Sequence, residues 1–141
     1  MNNSESQEKN LRQKWDEFSR NLELALKYQK KSRNHLEASL NVLNEYKQAM
    51  KKFTSTYSEE EVFKAGLVDL LLAYNLYEKM TSERAKSLDF DRSSVTYAIR
   101  AYQSWNKISL DEFLTIPGAT QAKYNETENV MNKVLSVANN D

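Results

Sequence analysis

The stretch VFKAGLVDLLLAYNLYEKM, residues 62–80, is the most hydrophobic segment of the chain and decides its fold class. Its apolar side chains recur at helical spacing in two stripes. One stripe comprises Leu67, Leu70, Leu71 and Tyr74, and the second comprises Val68, Leu72 and Leu76. A helix that is apolar on two sides must be covered on both, because a contiguous exposed patch of that size would drive association. We therefore predict a central helix here, against which the rest of the chain packs. If one stripe stays exposed, a partner binds there instead.

The composition predicts a single helical domain with few breaks. The chain has 141 residues, a length that suits one domain with one core. It contains only two glycines, Gly66 and Gly118, and one proline, Pro117, so turn signals are scarce. We predict an all-α fold, a helical bundle of about four helices in one domain that spans residues 1–141.

A seven-residue repeat of apolar side chains predicts a long N-terminal helix over residues 11–57, with a coiled-coil-like seam. The seam consists of Leu11, Trp15, Phe18, Leu22, Ala25, Gln29, Ser32, Leu36, Ser39, Leu43, Tyr46, Met50, Phe53 and Tyr57. An unbroken helix would be roughly 75 Å long, whereas a compact domain of this size has a radius of gyration of about 14 Å. The helix therefore either projects from the bundle or breaks.

The polar seam positions Gln29 and Ser32 mark where such a break would fall. Asn34 followed by Glu37 resembles a helix N-cap with its returning acid, which supports a turn between Lys27 and His35. However, no glycine or proline lies there. The sequence leaves both versions open, and one long, bent helix is the version we prefer.

The later elements follow from capping signals. Ser58 and Glu61 form a capping box at the start of a central helix over residues 59–88. The segment DFDRS, residues 89–93, then predicts a loop, and shorter helices follow over 94–108 and 120–138 with Pro117 and Gly118 between them. We expect residues 1–10 to be frayed.

Motifs for chemistry are missing from the sequence. There is no cysteine, and His35 is the single histidine, so no metal-ligand set can be assembled around it. Two glycines cannot form a phosphate-binding loop. The consecutive acids of residues 59–61 follow a serine cap, where the helix dipole favours them. We predict that the protein is not an enzyme and holds no cofactor or metal ion.

Membrane insertion is not expected from the sequence either. Charged residues such as Lys64, Asp69 and Lys79 interrupt the most apolar segment, which is shorter than the roughly 18 uninterrupted apolar residues of a membrane span. The polar N-terminus lacks the basic flank and apolar run of a signal peptide. We expect a cytoplasmic protein without a transmembrane span.

Our first hypothesis for function is a non-enzymatic interaction protein, a self-associating adaptor or a regulatory or assembly subunit. It would form a homo-oligomer, or bind a protein partner, through the seam, which is longer than a compact domain can cover. The predicted interface residues are Leu11, Trp15, Phe18, Leu22, Leu36, Leu43, Tyr46 and Met50.

The alternative hypothesis is binding of nucleic acid or an anionic membrane through the basic face of residues 27–52. The contacts would be made by Lys27, Lys30, Lys31, Arg33, Lys47 and Lys51. It ranks second because the chain has no net charge, whereas nucleic-acid binders are usually strongly basic. A third hypothesis is a small-molecule pocket among Tyr74, Tyr77, Tyr102 and Trp105.

Overall fold

The computed structural model describes the backbone of residues 3–62 and 66–140, and the side chains of residues 5–61 and 66–136. Within these ranges the chain forms five α-helices and no β-strand, so the prediction of an all-α helical bundle is confirmed. The helices are α1 (Asn3–Thr56), α2 (Glu59–Val62), α3 (Leu67–Asn106), α4 (Leu110–Leu114) and α5 (Gln121–Asn140).

The N-terminal helix is continuous. α1 passes through Gln29 and Ser32 without a break, so the long-helix version of the prediction is the one that the structure contains. Ser32 is buried, and its hydroxyl donates a hydrogen bond to the Ser87 carbonyl oxygen at 2.9 Å. The polar seam position therefore serves helix packing rather than a turn. α1 also begins at Asn3, so the expectation that residues 1–10 are frayed is wrong for residues 3–10. No glycine or proline in this segment interrupts the helix.

The predicted loop at residues 89–93 is wrong, because α3 runs through it without interruption. The segment contains no glycine or proline, and the serines on either side of it, Ser87 and Ser94, are both buried. Each of them donates a side-chain hydrogen bond to a backbone carbonyl of α1. These buried contacts favour a continuous helix over the turn that the acidic residues suggested.

The central helix also begins later than predicted. The helix that starts at Glu59 is the four-residue α2, in which the Ser58 hydroxyl accepts a hydrogen bond from the Glu61 amide at 3.4 Å. α3 begins only at Leu67, after Gly66. Residues 63–65 of the most hydrophobic stretch lie outside the described residues.

The contacts within the chain divide it into two compact units. Unit 1 comprises Met1–Tyr28 and Arg92–Asp141, and unit 2 comprises Gln29–Asp91. Unit 2 is an antiparallel helical hairpin made by the second part of α1 and the first part of α3. Unit 1 contains the remaining parts of these two helices together with α4 and α5. The prediction of a single domain stays a prediction.

Unit 1 has an aromatic core. Its buried members are Phe18, Ala101, Trp105, Ile108, Phe113 and Met131. The rings of Phe18 and Tyr124 lie on either side of Trp105, with centroids 5.3 and 5.2 Å from the indole. A complete capping box, Ser109 with Glu112, starts α4 and so holds Phe113 in this core. Gly118 has φ +82°, a backbone conformation that glycine adopts at little cost, and it lies in the turn before α5.

Small residues form the line along which α1 and α3 meet within each unit. They recur at seven-residue spacing, as Ala25, Ser32 and Ser39 on α1, Gly66 directly before α3, and Ala73, Ser87, Ser94 and Ala101 on α3, and all eight are buried. The same heptad positions continue through larger residues, Phe18 and Tyr46 on α1 and Met80 on α3. Small side chains let two helix backbones approach closely, which explains how serine hydroxyls of one helix reach carbonyl oxygens of the other. We call this line the small-residue seam.

The hydrogen bonds along the small-residue seam fix its register. In unit 2 the Ser32 hydroxyl donates to the Ser87 carbonyl and the Ser87 hydroxyl donates to the Ser32 carbonyl, both at 2.9 Å. One heptad further along α1, the Ser39 hydroxyl donates to the Met80 carbonyl at 3.3 Å. In unit 1 the Ser94 hydroxyl donates to the Ala25 carbonyl at 2.8 Å. A slip of either helix would leave these hydroxyls buried and unpaired, which is costly.

Candidate functional site

The N-terminal part of the predicted interface is used inside the chain. Phe18 is only 3% exposed, and the ring of Trp15 lies 6.2 Å from that of Phe113. Leu11 and Leu22 pack on the same core. Phe18 is therefore covered by the chain itself, whereas Leu11, Trp15 and Leu22 are half-buried, and their role in self-association stays a prediction.

The other half of the predicted interface lies in unit 2 and is more accessible. Leu36 is exposed, and Leu43, Tyr46 and Met50 are half-buried. The ring of Tyr46 lies 5.5 Å from that of Tyr77 on α3. The hypothesis that these residues bind a second copy stays a prediction, and they lie beside several exposed apolar side chains of unit 2.

The expectation that both stripes of residues 62–80 are covered by the chain itself is wrong for the described residues. Leu67, Val68, Leu71 and Leu72 are each at least half exposed, and Val68 reaches 67%. The reason is geometric, because a two-helix hairpin covers only the side of α3 that meets α1. That side carries the small residues, such as the fully buried Ala73, and not the leucines.

Six of the exposed apolar side chains lie on one side of the hairpin, which we call the apolar face. It consists of Leu36 and Leu40 on α1 and Leu67, Leu71, Tyr74 and Tyr77 on α3. All of them follow a position of the small-residue seam by one, four or five residues. At 100° per residue, these offsets place them on one side of the helix, at about 40 to 140° from the seam. The half-buried Leu43, Met50 and Leu70 share these offsets and complete the surface between the two helices.

The opposite side of the hairpin, which we call the polar side, carries an ion pair as well as the exposed Val68 and Leu72. His35 and Glu83 follow the seam by three residues, an offset of about 60° in the other direction. His35 Nδ1 lies 2.6 Å from Glu83 Oε2, and the Phe90 ring stacks on the imidazole at 5.4 Å. The hydrogen bond from His35, with a further contribution from Lys86, holds the pKa of Glu83 below its usual value. No group of three metal-ligating side chains is found among the described residues.

Four of the six basic residues of the alternative hypothesis, Lys30, Arg33, Lys47 and Lys51, lie on one side of the unit 2 hairpin, and the other two do not. Lys27 belongs to unit 1, whereas the other five belong to unit 2. Within unit 2, Lys31 lies over the Phe90 ring on the polar side, with its Nζ 5.5 Å from the ring centroid. Arg33 and Lys47 follow the small-residue seam by one residue and therefore lie on the side of the apolar face.

The aromatic group of the third hypothesis is divided in the same way. Tyr74 and Tyr77 belong to unit 2 and are exposed, whereas Tyr102 and Trp105 belong to unit 1. Trp105 is 1% exposed and fully committed to the core of unit 1. Its role there is packing, so it is not available to a ligand.

The sequence contained a signal for the apolar face that we did not use. Leu67, Leu70, Tyr74 and Tyr77 form a three–four repeat of their own, beside the heptad of small residues that starts at Gly66. Reading the small residues as the buried seam would have assigned this second repeat to the side of α3 that α1 does not cover.

Comparison with known proteins adds no relative. No protein-family model matches the chain, and no curated protein or solved structure shows significant similarity to it. Among the described residues, none of the helices combines the length and the apolar character needed to span a bilayer. The fold and the face therefore define a class, an all-α protein with an uncovered helical surface.

Proposed function

We propose that this protein is a non-enzymatic interaction protein that binds a helix of a protein partner on the apolar face. The observation that carries the proposal is the exposure of six large apolar side chains, between 39% and 54% each, on one side of the unit 2 hairpin. Contiguous apolar patches on this scale commonly mark sites of protein–protein contact. The proposed binding site is therefore the apolar face, and not the N-terminal part of the α1 seam, whose Phe18 is buried within the chain.

Unit 1 supports a helix as the occupant. There, Trp105 on α3 follows Ala101 of the small-residue seam by four residues, as Tyr77 follows Ala73 in unit 2. In unit 1 this position is covered by α4 and α5: the rings of Phe113 and Tyr124 lie 5.8 and 5.2 Å from that of Trp105, and Met131 is fully buried in the same core. Helices are thus the elements with which this chain covers the equivalent position of unit 1.

The size of the apolar face fits such an occupant. From the exposed fractions of its six residues, the surface that a partner would cover is about 600 Å², close to the roughly 800 Å² per partner in stable complexes. The stretch Leu36–Met50 corresponds to roughly 20 Å of helix, or about four turns. An amphipathic helix of four to five turns would match both dimensions.

The test uses a panel of amphipathic helical peptides with leucines in a three–four repeat and glutamine at the flanking positions. Binding is measured by fluorescence anisotropy. We expect saturable binding to the wild type, weakened at least about tenfold by the double substitution Leu40→Ser and Leu71→Ser, because each leucine would lose about 2 kcal/mol of apolar burial.

The matched control is the double substitution Val68→Ser and Leu72→Ser. These residues are equally apolar and more than half exposed, but they lie outside the apolar face on the same helix. The control should bind like the wild type, and circular dichroism should show both variants to be helical. Failure of every peptide to bind, or equal weakening in both variants, would contradict the proposal.

A further inference from the structure

We infer that the partner helix carries aspartate or glutamate beside its apolar stripe, so that the apolar face selects an acidic amphipathic helix. This inference rests on the proposed function. The observation behind it is the distribution of charge on the face. Arg33, Lys47 and Arg84 are exposed and lie among the leucines and tyrosines, one or four residues after the small-residue seam.

No carboxylate shares these positions. Between residues 33 and 50 and between residues 67 and 88, every position one or four residues after the seam is apolar, basic or a threonine. The outer margin, five residues after the seam, adds Lys51 against Glu37 and Glu78. Four cations therefore oppose two carboxylates, and the face with its margin has a net charge of +2.

The polar side of the same hairpin has no such bias. It carries a paired carboxylate, because Glu83 accepts a hydrogen bond from His35 and has Lys86 Nζ within 3.8 Å. Asp69 accepts from the Tyr57 hydroxyl at 2.8 Å, at the end of the hairpin. The excess of positive charge is thus a property of the apolar face and not of the whole hairpin.

This charge argues against a second copy of the chain as the occupant. In a two-fold dimer the same surface would meet itself, so that two faces, each with a net charge of +2, would be brought together. Like charges opposed at an interface are unfavourable, whereas carboxylates at the flanks of a docked helix would pair with Arg33, Lys47 and Arg84. The inferred partner is therefore a different protein that presents an acidic amphipathic helix.

The test compares three peptides that share one leucine stripe and carry glutamate, glutamine or lysine at the flanking positions. We expect the glutamate peptide to bind the wild type about tenfold more tightly than the glutamine peptide, and the lysine peptide more weakly than both. The difference should shrink between about 50 mM and about 1 M salt, because exposed charges are screened.

Two charge-reversed variants locate the effect. Arg33→Glu with Arg84→Glu should invert the order of the glutamate and lysine peptides. The control variant, Lys52→Glu with Lys79→Glu, changes the net charge by the same amount. Both lysines lie on the other side of the hairpin, six residues after the seam, so this variant should leave the order of the peptides unchanged.

The outcomes separate the inference from the proposed function. If the three peptides bind equally well, or if both charge-reversed variants shift the order alike, the inference is overturned while helix binding stands. If no peptide binds, both are overturned. If sedimentation shows a dimer that Leu40→Ser with Leu71→Ser dissociates, the occupant is a second copy, and the inference of an acidic partner is wrong.

Discussion

We predict that the residues of the small-residue seam stabilise the fold more through their small size than through the hydrogen bonds of their hydroxyl groups. Ser87 is the strongest test, because it is buried opposite Ser32 and takes part in two inter-helix hydrogen bonds to backbone carbonyls. Ser87→Ala removes one donor but leaves the spacing of the helices unchanged. Because the Ser32 carbonyl keeps its bond within α1, we expect the free energy of unfolding to fall by only about 1 kcal/mol.

Ser87→Leu should be far more damaging. The leucine adds bulk at a contact where a hydroxyl of one helix reaches the backbone of the other, so the helices must separate. Overpacking costs about 1 to 3 kcal/mol, and separation would also break the reciprocal Ser32 and Ser87 bonds, each contributing about 1 kcal/mol. The expected total is about 3 to 5 kcal/mol.

The assay is urea unfolding followed by far-UV circular dichroism. With a slope of about 2 kcal/mol per molar urea, Ser87→Leu should lower the midpoint by at least about 1.5 M, and Ser87→Ala by about 0.5 M. Ser82→Leu is the matched control, since Ser82 is exposed on the same helix and its substitution should stay within about 0.5 kcal/mol. The reasoning is refuted if Ser87→Leu unfolds at the same midpoint as Ser82→Leu, or if the alanine variant loses as much stability as the leucine variant.

Two further predictions concern the polar side of unit 2 and the turn before α5. The lowered pKa of Glu83 means that its ionised form stabilises the folded state above its unfolded value near 4.5, and that this contribution is lost as the pH falls through the lower folded value. The urea midpoint of the wild type should therefore drop between pH 6 and pH 3 by more than that of Glu83→Gln; equal drops would contradict the assignment. Gly118→Ala should cost about 1 kcal/mol because φ is +82°, even though no atom lies near enough to obstruct the added methyl group. An unchanged thermal midpoint would show that the turn can relax.

The fold class was accessible from the sequence because it depends on local rules. The scarcity of glycine and proline, and the capping patterns at Ser58 and Ser109, each predict helical structure without knowledge of tertiary contacts. The α1 seam was predicted from periodicity alone, and its buried members Phe18 and Phe53 lie where that repeat places them. The continuity of α3 was not predicted, because the acidic residues at 89–93 resemble a helix cap. That Ser87 and Ser94 are buried contacts with α1 could not be recognised from the sequence.

The candidate site could not be predicted because hydrophobicity alone does not say which side of a helix is covered. The leucines of residues 67–72 are the strongest apolar signal in the chain, and we assumed that the strongest signal marks the core. Packing reverses that assumption here, because close approach of α1 and α3 selects the smallest side chains, Gly66 and Ala73, for the contact. A methyl group on Gly66 would come within 3.0 Å of the Phe53 ring, so even alanine is tight there. The larger apolar residues are consequently left at the sides of the hairpin.

The same packing rule explains why the two units differ in what they leave uncovered. A small-residue seam buries little apolar area per turn, so a hairpin built on it needs further cover from large side chains at its flanks. Unit 1 obtains that cover from α4 and α5, which bury Phe113 and Met131 against Trp105. Among the described residues, the third helix of unit 2 is only the four-residue α2, and the leucines and tyrosines at the flanks of the hairpin stay exposed. Three cations, Arg33, Lys47 and Arg84, lie on the same side, and they are the basis of the proposal that an acidic helix covers this face. Stability and partner choice are thus linked, since the seam that lets α1 and α3 approach is also what directs the large apolar side chains outward.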